Sequence, residues 1–116
     1  MQSPKNSFAI LILAGAGLLI TALSFVAASP APLDGAGIFK KNCSMCHNKD
    51  GKGFPALKTP DFTDPKWQNA ITDKEIVETI KNGKKKTAMP AFKGKLKDDE
   101  IQAAIGYVRS LGSSKQ

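Results

Sequence analysis

Apolar positions follow two different rhythms along this chain. Residues 8–28, beginning at Phe8 and ending at Ala28, are apolar almost without a break; Gly15, Gly17, Thr21 and Ser24 are mild interruptions. Beyond Ser29 the apolar residues recur at helical spacing in three places. The first predicted helix runs from about Gly35 to Cys46, with Asp34 as N-cap and Ile38 and Phe39 on its apolar face. The second opens on Thr72-Asp73-Lys74-Glu75, a capping box, with Ile71 and Ile76 placed as a hydrophobic staple. Ile76, Val77 and Ile80 form its buried face, and Asn82-Gly83 ends it, with glycine suited to a left-handed position. The third begins near Asp98-Asp99-Glu100, whose charges suit a helix N-terminus. Ile101, Ala104, Ile105, Val108 and Leu111 then recur on one face. No segment alternates long enough to argue a strand, so the expected class is all-α: about three main helices and long loops.

The stretch between the first two helices, residues 48–71, holds Gly51, Gly53, Pro55, Pro60 and Pro65. A loop this long in a small domain implies a task of its own. Cys43-Ser44-Met45-Cys46-His47, just before it, suggests the task. C-x-x-C-H is the attachment pattern of a c-type haem. At i, i+3 and i+4, Cys43, Cys46 and His47 share one helical face. Two thiols can bond the ring covalently while the imidazole ligates its iron. The pattern uses both cysteines and the sole histidine of the chain. A structural zinc site wants about four ligands, and a thioredoxin-like pair wants neighbouring strands. A disulfide would leave His47 unexplained. The loop could wrap the haem edge, and a carbonyl near Pro55 could accept a hydrogen bond from His47 Nδ1.

With no second histidine, the opposite ligand must be of another type. Met1 starts the apolar segment and Met45 points away from the ring. Met89, in Thr87-Ala88-Met89-Pro90, is the candidate, on backbone constrained by Pro90. A lone methionine is otherwise core filler. The lysines at 84–86 and 93 are poorer ligands, because an amine must first lose its proton. Methionine with histidine raises the reduction potential and closes the iron, which favours electron transfer over catalysis. The expected protein is thus not an enzyme. An open iron, with Met89 detached, would instead make a sensor or peroxidase.

From Asp34 to Leu111 the chain resembles the class I single-domain, mono-haem c-type cytochromes, particularly bacterial haem-c modules related to terminal-oxidase subunits. The resemblance is carried by Gly35-x-x-x-Phe39-x-x-x-Cys43, the C-x-x-C-H, Trp67 before Thr72-Asp73-Lys74-Glu75, Ile80-Lys81-Asn82-Gly83, Met89-Pro90-Ala91-Phe92 and Tyr107-Val108-Arg109-Ser110-Leu111. It implies a cytochrome c-like fold in which the first and last helices cross near Gly35. Phe39 and Tyr107 would pack there, and Trp67 would lie near the haem edge. Ordinary core packing is the other reading of Trp67 and Tyr107. Two positions depart from the pattern. Ala104 is smaller than usual, which would loosen the crossing, and Lys97 stands where a Ser or Thr cap is common, leaving Asp98 to cap.

Composition adds direction. Net charge is +7, and residues 81–97 hold seven lysines (81, 84, 85, 86, 93, 95, 97) with no acidic residue. Such a run is either a solvated face or a docking surface for redox partners with acidic surfaces. Aromatic residues are not interleaved in the manner of a nucleic-acid platform. Residues 1–28 read as a signal peptide or as an uncleaved membrane anchor, since 21 helical residues reach about 31 Å. Either places the domain outside the cytoplasm, in a bacterial periplasm on the resemblance. Residues 29–33 form a Pro-rich linker, 34–111 the haem domain and 112–116 a disordered tail. So small a domain struggles to build a core alone, and one covalent haem c would complete it.

Overall fold

The computed structural model describes residues 28–113. The apolar N-terminal segment up to residue 27 and the last three residues lie outside this range. Among the described residues no helix is long and apolar enough to cross a membrane.

Five α-helices follow in order: α1 (Gly35–Asn42), α2 (Ser44–His47), α3 (Pro65–Ala70), α4 (Asp73–Asn82) and α5 (Asp98–Ser113), with a 3-10 turn at Pro55–Leu57. The described residues contain no β-strand, only an isolated bridge between Lys93 and Leu96. Asp34 caps α1, its carboxylate accepting from the Gly37 amide at 2.9 Å. The helix expected to run on to Cys46 breaks at Cys43 (φ −121°, ψ −32°). Polar side chains cause this by competing for carbonyls in the last turn. Asn42 Nδ2 donates to the Ile38 carbonyl (2.9 Å) and Ser44 Oγ to the Lys40 carbonyl (2.6 Å).

The capping box at α4 forms as expected. The Thr72 amide donates to Glu75 Oε2 (2.8 Å) and the Glu75 amide to Thr72 Oγ1 (3.3 Å). The bonds from Thr72 hold the Glu75 carboxyl below its ordinary range. At α5 the cap differs from expectation. Lys97, not Asp98, is the capping residue: its carbonyl accepts from the Ile101 amide (3.0 Å), and its own amide donates to Glu100 Oε2 (2.8 Å). Asp98 lies one residue inside the helix, where it pairs with Lys81 Nζ at 2.9 Å. The helix also continues through Ser113, two residues past the end read from its periodicity. The loop 48–71 is less irregular than expected, since it contains α3. Asp64 caps that helix from its side chain and Pro65 opens it.

The core is two small clusters. Phe39, Phe62 and Val108 form one; Ile76, Ile101 and Ile105 form the other. Trp67 packs against both and so joins them. Its surroundings are those of a core residue.

The most extensive helix contact is α1 against α5, and Gly35 permits it. A Cβ there would collide with the Ala103 carbonyl oxygen, and would lie 2.7 Å from its carbon and 3.4 Å from Tyr107 Cβ. Phe39 meets Tyr107 at the same crossing, ring centroids 5.2 Å apart. Ala104, on the same helix as Ala103 and Tyr107, is buried. Gly35→Ala should therefore cost about 2–3 kcal/mol, typical of overpacking, through displacement of backbone. Denaturant unfolding of the two proteins measures it, and an unchanged midpoint would refute the close crossing.

Candidate functional site

Cys43, Cys46 and His47 come together because one tight turn carries all three. The amides of Cys46 and His47 both donate to the Cys43 carbonyl, at 3.1 and 2.9 Å. After His47 the chain doubles back, and the Gly53 amide donates to the His47 carbonyl (3.0 Å). Met45, between the cysteines, is 86% exposed, directed away from the others as its spacing requires.

Both cysteines are free thiols and half-buried. Burial, then the neighbouring Cys46, pushes the Cys43 thiol up to about 11, so it stays protonated at neutral pH. His47 is buried, and desolvation lowers its pKa, which keeps the imidazole neutral and a lone pair free. Its Nδ1 is fully enclosed and lacks a hydrogen-bond partner. The hydrogen bond expected from it to a carbonyl near Pro55 is therefore not formed; the Pro55 carbonyl accepts from the Lys58 amide (3.0 Å). Among the described residues, no group of three or more His, Cys, Asp and Glu side chains is placed to hold a metal ion. Two free thiols beside one buried imidazole do fit the donor set of a covalently bound haem.

The wall behind His47 is aromatic, and periodicity did not reveal it. Phe62 stacks on the imidazole with centroids 4.7 Å apart and planes 19° from parallel. Trp67 (4.6 Å) and Phe39 (6.2 Å, edge-on) enclose Phe62 in turn. Gln68 Nε2 donates to the carbonyls of Phe62 (2.6 Å) and Val108 (2.9 Å). Arg109 holds Gln68: its Nη1 donates to the Gln68 carbonyl (2.7 Å) and to Oε1 (3.0 Å). Its Nη2 donates to the Ile71 carbonyl (2.7 Å) and pairs with Asp73 (2.7 Å). One signal was available. Arg109 is the sole arginine among 17 cationic residues, and a guanidinium fork suits several acceptors at once.

Met89 stands on a separate segment, half-buried, anchored by its own loop. The Lys84 amide donates to the Met89 carbonyl (3.2 Å), the Met89 amide to Thr87 Oγ1 (3.2 Å) and Thr87 Oγ1 to the Lys84 carbonyl (2.7 Å). Phe92 and Lys93 tie the chain back to the end of α4 through the carbonyls of Ile80 (2.9 Å) and Lys81 (3.1 Å). Gly83 makes the turn at φ 71°, ψ −177°. This is not the left-handed helical position expected there but an extended one that only glycine adopts readily. Of the seven lysines around this loop, Lys81 is tied to Asp98; the other six are exposed.

A family model described as cytochrome c oxidase, cbb3-type, subunit III matches residues 30–108. The chain belongs to the c-type cytochromes. It is 41% identical to the cbb3-type cytochrome c oxidase subunit FixP of Bradyrhizobium, over 70% of this chain but only 28% of FixP. Cytochrome c6 of Nostoc is 36% identical, with 84% of this chain and 86% of that protein aligned. The solved KustC0563 c-type cytochrome superposes with a TM-score of 0.64 at 32% identity, covering 68% of this chain and 98% of that one. This cytochrome spans under a third of the FixP length and most of cytochrome c6.

Gly83 offers a direct test of the Met89 loop. A Cβ there would meet the Met89 carbonyl oxygen at 2.8 Å and Ala91 N at 3.0 Å, on backbone unsuited to it. Gly83→Ala should cost about 3 kcal/mol in strain and contact. The loss is read from thermal unfolding beside Gly106→Ala, whose Cβ meets nothing within 4 Å.

Proposed function

We propose that this cytochrome carries one haem c, bonded through Cys43 and Cys46, with His47 and Met89 as its iron ligands, and acts as a non-enzymatic single-electron carrier outside the cytoplasm. The observation that carries this reading is the Cys43–His47 turn: two free thiols beside one buried, neutral imidazole. When bound, a haem iron with histidine and methionine ligands supplies one-electron oxidation and reduction at a raised potential. The chain's residues supply the rest. The two thiols anchor the ring, His47 is held by its stack and its capped carbonyl, and Met89 is offered on a hydrogen-bonded loop. Cytochrome c6, which this chain matches over most of both lengths, supports a free carrier.

A second reading has its own support. The match to the cbb3-type subunit III family over residues 30–108 fits a haem-c subunit of a larger oxidoreductase, held at the membrane by residues 8–28. In either case the six exposed lysines form the face for an acidic redox partner.

Haem staining of denatured protein should show covalent haem in the wild type and lose it in the Cys43→Ser, Cys46→Ser double variant. Met89→Ala should abolish the charge-transfer band of an iron–thioether bond and admit carbon monoxide or cyanide rapidly; a band surviving the substitution would exclude Met89 as ligand. Fractionation before staining separates the two readings, since a free carrier is soluble after export and an anchored subunit stays with the membrane.

Electron exchange with an acidic partner should slow by about tenfold or more as ionic strength rises, because exposed charges are screened beyond about 10 Å at 0.1 M salt. Stopped-flow rates over a salt series test this, and a flat response would reduce the lysines to a solvated surface.

A further inference from the structure

We infer that Phe62 is a positioning residue that fixes the ring plane of His47, and that the Gln68–Arg109 pair holds Phe62 in place for this. The inference rests on the reading of His47 as an iron ligand and adds what orients it. An imidazole can turn about its bond to the backbone unless something restrains it, and a ligating histidine is commonly oriented by a hydrogen bond from its second nitrogen. Here that nitrogen is buried without a partner. The restraint that is present is a flat surface: Phe62 lies 19° from parallel at 4.7 Å.

A flat surface orients its neighbour only if it is itself immobile. Phe62 is 8% exposed, with Trp67 and Phe39 against it. Its backbone is fixed at both ends. Its amide donates to the Gly51 carbonyl (2.8 Å), and its own carbonyl accepts from Gln68 (2.6 Å). Gln68 is fixed by Arg109, which also reaches the Ile71 carbonyl and Asp73. A path of contacts therefore runs from α5, through α3, to the imidazole plane. Leucine at position 62 would fill similar space without a planar face.

The test uses the ferric haem protein with cyanide bound. Cyanide is axially symmetric and replaces any opposite ligand, so the order of the haem methyl hyperfine shifts in proton NMR reports the His47 plane and not Met89. Phe62→Leu should reorder or compress those shifts, whereas Phe62→Tyr, which keeps the ring, should retain the wild-type order. Ile105→Val, a core loss in the other cluster, should lower stability and leave the order unchanged. Gln68→Ala should shift the pattern in the direction of Phe62→Leu by a smaller amount. A wild-type order in Phe62→Leu, or an equal disturbance in Phe62→Tyr and Ile105→Val, would overturn the inference. Absence of covalent haem from the wild type would sink the parent reading with it, and is seen on the stained gel before any variant is made.

Discussion

The structure depends on a conflict at His47. The imidazole is enclosed and held neutral, and its Nδ1 is left without a partner. Burial supplies neutrality at the cost of hydrogen bonds to water. The stack on Phe62 offsets part of that cost, since aromatic pairs contribute about 0.5–1.5 kcal/mol beyond their area. Phe62 can serve only because Trp67, Phe39 and Gln68 confine it. The first core cluster is thus also the back wall of the site, and a side chain lost from the core is felt at the functional group.

That coupling follows from size. A domain of this length buries too little apolar surface for separate structural and functional interiors. Its two clusters contain three buried side chains each, and among the described residues Trp67 packs against both. The α1–α5 crossing at Gly35 brings the helix that ends at Cys43 against the one that carries Val108 and Arg109. Packing and the site's geometry are therefore set by one contact.

Much of this was legible in the residues. Thr72 and Glu75 announce the start of α4, the Cys43-Ser44-Met45-Cys46-His47 spacing groups the chemistry, and the family pattern placed Phe39 and Tyr107 at the crossing. What was hidden depended on competition between local and distant partners. Asn42 and Ser44 look like ordinary polar positions, but their bonds to Ile38 and Lys40 end the helix one turn before His47. Asp98 looks like a cap because it is acidic, but Lys81 claims it and Glu100 reaches the Lys97 amide instead. Asp64-Pro65 is a readable start for α3 that the surrounding prolines obscured. Phe62, Gln68 and Arg109 lie far apart in sequence, and no periodicity links residues joined only by the fold.

The Lys81–Asp98 pair has a further consequence. It joins the last turn of α4 to the first turn of α5, just outside the bonds that tie Phe92 and Lys93 to Ile80 and Lys81. The intervening chain is a closed loop with both ends fastened, and none of residues 84–91 is fully buried. Opening it would break a few exposed hydrogen bonds and leave both apolar clusters intact. Such a segment is a separate unit of local unfolding, with an opening free energy well below that of the whole domain. Proteolysis and amide exchange would then find two stabilities in one small protein, a low one at Met89 and a high one behind His47.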